Sequence, residues 1–314
     1  MRGIFAPVLT PFLPSGAPDI TRFLRHARWL LSYDVNLAIF GTNSEASSMT
    51  TSEKLTLLHT LVEEGKADPN RLMPGTGACA VGDAVTLSKA SVRLGCGGVL
   101  VLPPFYYKGV GDEGVFRYYA RLIEQVADER LRVYLYHIPQ VSGVGISHSL
   151  IERLMKAYPG IIAGIKDSAG DWKHTASLIT HFARSGKGLA TEGSGAYLRV
   201  FAGSEAFLLR TLRAGGQGCI SATANVNPAR IVELYHQHET SQADRLQDAC
   251  QRLREAFPPH ALIPSMKATI AHFTHDKGWE RVRPPLVELE EEEKESLLRR
   301  LHELKFKMPD PGTC

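Results

Sequence analysis

The chain has 314 residues, 44% apolar and 22% charged, and a net charge of +3 with basic and acidic residues interspersed. That balance is ordinary for a soluble globular protein and lacks the clustered basic surface of a nucleic-acid binder. No stretch approaches the roughly 18 apolar residues of a membrane helix.

Along the chain, short apolar runs alternate with longer amphipathic ones. Strands are predicted at Ile4–Leu9, Leu37–Phe40, Leu72–Pro74, Gly98–Leu102, Val133–His137, Ile161–Lys166, Leu198–Ala202 and Gly218–Ser221. Helices are predicted between them at Ile20–Ser32, Ser52–Glu64, Gly82–Leu94, Glu113–Ala127, Ser149–Tyr158, Asp171–Ala183, Glu205–Ala214 and Ala229–Gln237. Eight such βα repeats are the count of a closed (β/α)8 TIM barrel. An open doubly wound sheet is the alternative, but the cluster Gly215-Gly216-Gln217-Gly218 precedes a strand and reads as a tight turn, not a phosphate grip.

Beyond residue 240 the pattern is wholly helical, at Gln242–Ala256, Ile263–Phe273 and Glu290–Leu304. The acidic run Glu290–Glu293 suits a helix start. The organisation expected is a barrel over 1–240 and a C-terminal helical appendage over 241–314. The cysteines Cys79, Cys96, Cys219, Cys250 and Cys314 are odd in number and lack zinc-finger spacing. With an N-terminus that runs directly into a strand, they point to a reducing, cytoplasmic setting.

In such a barrel the chemistry lies at the carboxyl ends of the strands. Those ends carry Thr10, Gly41-Thr42-Asn43-Ser44-Glu45, Gly75-Thr76-Gly77, Pro103-Pro104-Phe105-Tyr106-Tyr107, Tyr136-His137-Ile138-Pro139, Lys166-Asp167-Ser168, Gly203-Ser204-Glu205 and Ile220-Ser221. Lys166 follows the largely apolar run Ile161–Ile165. Desolvation there disfavours the ammonium and frees an amine that can attack a ketone, giving an iminium that stabilises an enamine. The plainer reading is a lysine that snorkels to solvent. Tyr136 reads either as a proton-relaying phenol or as a core tyrosine. Thr42 to Ser44 offer N–H groups and hydroxyls to a carboxylate, or simply cap the helix that Thr51, Ser52 and Glu53 announce.

Five segments together resemble the dihydrodipicolinate synthase / N-acetylneuraminate lyase family of pyruvate-dependent aldolases. They are Pro7-Val8-Leu9-Thr10-Pro11-Phe12, Gly41-Thr42-Asn43-Ser44-Glu45, Tyr134-Leu135-Tyr136-His137-Ile138-Pro139, Gly164-Ile165-Lys166-Asp167 and Thr223-Ala224-Asn225. The resemblance implies Lys166 as the Schiff-base lysine and Tyr136 as the acid/base phenol, with Thr42 and Asn43 on the substrate carboxylate. It implies that Tyr107 crosses into a neighbouring subunit to extend a proton relay through Thr42, making a homodimer or homotetramer. The substrate is then a small 2-oxo acid, and the covalent lysine serves without cofactor or metal. Ser44, Gly203, Glu205 and Ile220 complete the expected substrate-binding set. Glu205 reads either as a reader of a polyol tail or as a helix-starting glutamate.

Two positions depart from the family pattern. Asn43-Ser44 stands where Thr-Gly is usual, and Val141 stands where dihydrodipicolinate synthases carry a carboxylate-gripping arginine. A valine cannot make that bidentate pair. The expected function is therefore an aldolase or dehydratase acting on pyruvate or a 2-keto-3-deoxy sugar acid. The alternatives are 4-hydroxy-tetrahydrodipicolinate synthase proper and a noncatalytic 2-oxo-acid sensor. A metal-dependent aldolase is disfavoured, because His236/His238 and His272/His275 lie away from any strand end.

Overall fold

The computed structural model describes residues 1–182 and 197–309. The predicted helix end at Ala183 and the cysteine Cys314 lie outside the described residues. In chain order the first elements are β1 (Gly3–Ala6), α1 (Ile20–Ser32), β2 (Asn36–Leu37), α2 (Thr51–Glu63), α3 (Val81–Arg93), β3 (Val99–Val101) and α4 (Asp112–Val126). There follow β4 (Val133–His137), α5 (Pro139–Ser142), α6 (His148–Ala157), β5 (Ile162–Asp167), α7 (Trp172–Phe182), β6 (Arg199–Ala202) and α8 (Leu208–Arg213). The last are β7 (Gly218–Ile220), α9 (Pro228–His236), α10 (Ala243–Glu255), α11 (Leu262–Thr274) and α12 (Glu291–Glu303).

Every strand pairing is parallel, and helices separate most successive strands. This is the βα repeat of a (β/α)8 barrel, with α10 to α12 as its C-terminal helices. Among the described residues no helix is long and apolar enough to cross a membrane. One predicted strand needs correction. Leu72–Pro74 forms no regular strand: Leu72 is a single bridge residue, and the next parallel bridge joins Gly75 to Leu100. Pro74 has no N–H to give, so its carbonyl accepts from Leu100 (2.8 Å) and Thr76 returns the next bond (3.0 Å). The Ile20–Ser32 helix and the Val133–His137 strand fall as predicted, and the other described strands and helices begin or end within three residues of the predicted positions. The helix predicted over Glu205–Ala214 opens as a 3-10 turn, Glu205–Phe207.

The chain divides into two compact units, residues 1–3 with 68–220, and 4–67 with 221–314. In the first unit, β3 pairs with β4, β4 with β5, β5 with β6 and β6 with β7. Residues on both faces of β4 and β5 are buried, the pattern of a parallel sheet covered on each side. One face of these strands meets Leu122 of α4, Ile151 of α6 and Leu178 of α7 in the core. The glycine turn before β7 is a steric necessity. A Cβ on Gly218, at φ 140°, would stand 2.0 Å from the Gly3 carbonyl oxygen.

In the second unit β1 pairs with β2, in the register Phe5 to Asn36. Helix α1 buries Phe23, His26, Ala27, Trp29 and Leu30, the stripe expected of an amphipathic helix. Asn225 ties the unit together. Its carboxamide donates to the carbonyls of Pro7 (3.1 Å) and Ala222 (2.9 Å) and accepts from Leu9 N–H (3.1 Å) and contacts His26 Nε2 (3.1 Å). Burial lowers His26 to about 4, so the ring is neutral. The acidic run does start α12, and Glu290 and Glu293 cap it, with Glu290 N–H donating to the Glu293 carboxylate (3.0 Å).

Arg283 clamps the start of α2 by donating twice to Glu53, at 2.5 and 3.0 Å. Arg283 hydrogen bonding, against burial, holds the Glu53 carboxyl down to about 2, below its ordinary value of 4.5. A depressed carboxyl contributes stability above its unfolded value, and that contribution is lost as pH falls through the folded one. Glu53→Gln is thus expected to lower the melting temperature at pH 6, with the gap to wild type closing between pH 4.5 and about 2. A gap that is constant across that range contradicts the assignment.

Candidate active site

The carboxyl ends of β4 and β5 carry Tyr136 and Lys166. Strand register sets Tyr136 opposite Lys166 and His137 opposite Asp167. Side chains alternate across a strand, so the first pair shares one face and the second shares the other. Lys166 is 2% and Tyr136 4% exposed. The Lys166 Nζ lies 4.2 Å from the centre of the Tyr136 ring. A primary amine withdrawn from solvent beside a phenol has the parts for carbonyl capture and proton transfer.

Beside them, Gly203 N–H donates to the Asp167 carbonyl (2.7 Å) and Ser168 N–H to the His137 carbonyl (2.8 Å), linking the ends of β4, β5 and β6. A Cβ on Gly203 would stand 2.0 Å from Ser168 Oγ. Gly203→Ala should therefore push Ser168, and through it the Lys166–Asp167 strand end. The expected loss of turnover is about 10- to 100-fold, since misplacement of a reacting group by about 1 Å costs on that order. Wild-type kinetics in this variant would show that the crowding is relieved elsewhere.

Glu205 is buried and accepts from Ser204 Oγ (3.4 Å), and Ile220, at the end of β7, is also buried. Tyr107 is 74% exposed, edge-on to Tyr106 at 5.4 Å, on a loop that Lys108 secures by donating to the Ser142 carbonyl (2.9 Å). Val141 of α5 is exposed.

In the second unit, Thr42–Ser44 form one 3-10 turn after Gly41. Thr42 and Asn43 are half-buried. Ser44 is buried and holds the turn itself. Its hydroxyl accepts from Gly41 N–H (3.2 Å), and its carbonyl accepts from Thr10 Oγ1 (2.8 Å). Non-glycine residues at positive φ flank the turn, Phe40 at 61° and Glu45 at 57°. Such conformations persist only where the surroundings fix them. Here a fully buried Lys267 pairs with the Glu45 carboxylate, which also accepts from Arg283 N–H (2.7 Å). Lys267 further donates to the Arg281 carbonyl (2.7 Å) and lies 4.5 Å from the centre of the Phe12 ring.

Two features escape the reading of the sequence. One is Lys267, whose signal is a lysine inside the apolar run Ile263–Ala271, a place that demands a counter-charge. The other is the trio His137, Asp167 and His174, whose ligand atoms lie within 4.8 Å of one another. The His137 and His174 rings stack at 4.4 Å and 15°, so their in-plane lone pairs lie in near-parallel planes and do not converge as metal ligands must. His137 Nδ1 already accepts from Ile146 N–H (3.1 Å). The trio is instead a close contact of His174 Nδ1 with Asp167 Oδ2 (3.1 Å), with the His137 ring stacked on His174.

A parallel βα fold with a buried lysine and tyrosine side by side at adjacent strand ends has the parts of a class I, Schiff-base type of lyase. The comparisons with known proteins agree. Residues 1–304 match the Dihydrodipicolinate synthetase family, and the chain belongs to that family. It is 32% identical over 298 residues to an uncharacterized DapA-like lyase of Chloroflexus aurantiacus, covering 93% of each chain. The structure of dihydrodipicolinate synthase from Agrobacterium tumefaciens is 30% identical, with a TM-score of 0.81 over 97% of this chain and 99% of that one. A Sulfolobus solfataricus 2-keto-3-deoxygluconate aldolase, 22% identical, shares the fold with a TM-score of 0.81 over 96% of each chain.

Proposed function

We propose that this lyase captures pyruvate, or the 2-oxo group of a 2-keto-3-deoxy sugar acid, as an iminium on Lys166. The observation that carries the reading is the buried Lys166–Tyr136 contact at 4.2 Å. Tyr136 moves the proton as carbinolamine becomes iminium and again at the aldol or dehydration step. Thr42 and Asn43 take the substrate carboxylate, with Ser44 holding their turn, and Gly203, Glu205 and Ile220 belong to the substrate-binding set. Family names support a 2-oxo acid: one solved relative acts in dihydrodipicolinate synthesis and another is a 2-keto-3-deoxygluconate aldolase.

Between those two activities the exposed, uncharged Val141 favours the sugar acid, because it offers no grip on a second carboxylate. The exposed Tyr107 supports a homodimer or homotetramer in which this ring enters a neighbouring subunit's site. We place the enzyme in the cytoplasm, working through its lysine without cofactor, with residues 1–240 as the catalytic barrel and 241–314 as the helical appendage. The test is a substrate panel. Pyruvate release or dehydration from 2-keto-3-deoxy sugar acids, exceeding any condensation of pyruvate with aspartate semialdehyde, is expected. The reverse preference reinstates the synthase, and no turnover of any member leaves a 2-oxo-acid sensor.

A further inference from the structure

Behind Lys166 and Tyr136, on the opposite face of the same two strands, lies a carboxylate–imidazole contact that the reaction does not touch. Asp167 is 2% exposed, and its carboxylate accepts from Thr175 Oγ1 (2.6 Å) and Ala169 N–H (3.1 Å). His174 Nδ1, on α7, stands 3.1 Å from Asp167 Oδ2. The His137 ring of β4 stacks on His174, and Ile146 N–H fixes that ring from the other side. Asp167 is the residue after Lys166, and His137 the residue after Tyr136. We infer that Asp167 and His174 form a positioning pair that sets Lys166 and Tyr136 for iminium chemistry, acting through the backbone of β4 and β5. This rests on the reading of Lys166 given above.

The charges around the pair give it a direction. His174 faces Asp167 of β5, His137 of β4 and His148 of α6 (6.1 Å between rings), with Asp171 ahead of its own helix. His148 in turn meets His181, which contacts Glu152 at 2.6 Å. Asp167 raises His174 above its ordinary value, against burial. Burial, with His174 next to it, lowers His137 to about 4. Burial opposes ionisation of Asp167, yet the contacts from His174, Thr175 and Ala169 hold it below the usual carboxylate value. The contact thus favours the protonated imidazole on His174 and the ionised carboxylate on Asp167, with the His137 ring stacked on them. Because the His174 value is raised, the contribution of its proton is fully present below the ordinary value of 6.5, as long as Asp167 stays ionised, and is lost as pH rises through the folded value.

The test compares His174→Gln, which removes the cation, with His174→Lys, which keeps one, in the full-length enzyme. Borohydride trapping of wild type with pyruvate comes first, and a wild type without an adduct on Lys166 removes this inference together with the reading it rests on. Given the adduct, His174→Gln should lower kcat about 10- to 100-fold with KM changed less than about threefold, the cost of a misplaced reacting group. His174→Lys should keep most of the activity. The ratio of wild-type to His174→Gln kcat should shrink with rising pH as His174 loses its proton, while the ratio of His174→Lys to His174→Gln persists. Equal kcat in all three enzymes, or equal losses in Gln and Lys variants with no pH dependence, would overturn the inference and leave the pair a merely structural contact.

Discussion

Replacing Lys166 with alanine is expected to abolish turnover, by about four orders of magnitude or more, because the covalent route through the iminium disappears with the amine. Lys166→Arg should be as inactive, although it keeps a long basic side chain, because a guanidinium stays protonated and does not form an imine. Tyr136→Phe retains the amine and the ring beneath it and loses only the phenol, so it should fall about 10²- to 10⁴-fold, the range for removing a positioned acid or base. The three variants separate electrophile capture from proton transfer. A Lys166→Ala enzyme within tenfold of wild type would mean that the lysine is a core residue, held over the Tyr136 ring by packing alone. The measurement is steady-state turnover on whichever substrate the panel identifies, with circular dichroism to establish that each variant is folded.

The second large effect is on stability and arises at Lys267. Its ammonium is fully buried against Glu45, and burial lowers it to about 8 even with that carboxylate in contact. Lys267→Met leaves a buried carboxylate without its cation, and breaking a buried pair from one side costs about 3–5 kcal/mol. Glu45→Gln should also destabilise, by exposing the ammonium to the same apolar surroundings. The double variant should cost clearly less than the sum of the two, since no charge is then stranded. Urea denaturation at pH 7 measures all three. Single changes that each cost under about 1 kcal/mol would show that water reaches the pair. Glu45 is itself the left-handed residue that closes the Thr42–Ser44 turn. Lys267→Met should accordingly weaken whatever that turn binds, even at temperatures where the protein remains folded.

These two residues mark where the sequence is legible and where it is not. Strand and helix order can be read because hydrophobic period is local. The stripe of α1 over Ile20–Ser32 is set by the spacing of Phe23, Ala27 and Leu30, and the start of α12 by Glu290 and Glu293. Lys166 and Tyr136 are legible because each ends a strand, and parallel register then places them side by side. Leu72–Pro74 fails as a regular strand because hydropathy cannot register that Pro74 lacks a donor. Glu45 and Lys267 are 222 positions apart, and only the tertiary fold brings them together. The His137–Asp167–His174 group was within reach by strand alternation, since the neighbours of two paired residues must share the opposite face. What alternation does not give is the helix that supplies His174.

The most direct measurement of the central claim is reduction of the enzyme with borohydride in the presence of pyruvate, followed by intact mass and peptide mapping. One reduced pyruvyl adduct per chain, mapped to Lys166 and absent from Lys166→Ala, is the predicted result. Folded protein that gains no adduct with pyruvate or any other 2-oxo acid, or gains it equally at surface lysines, would contradict the Schiff-base assignment.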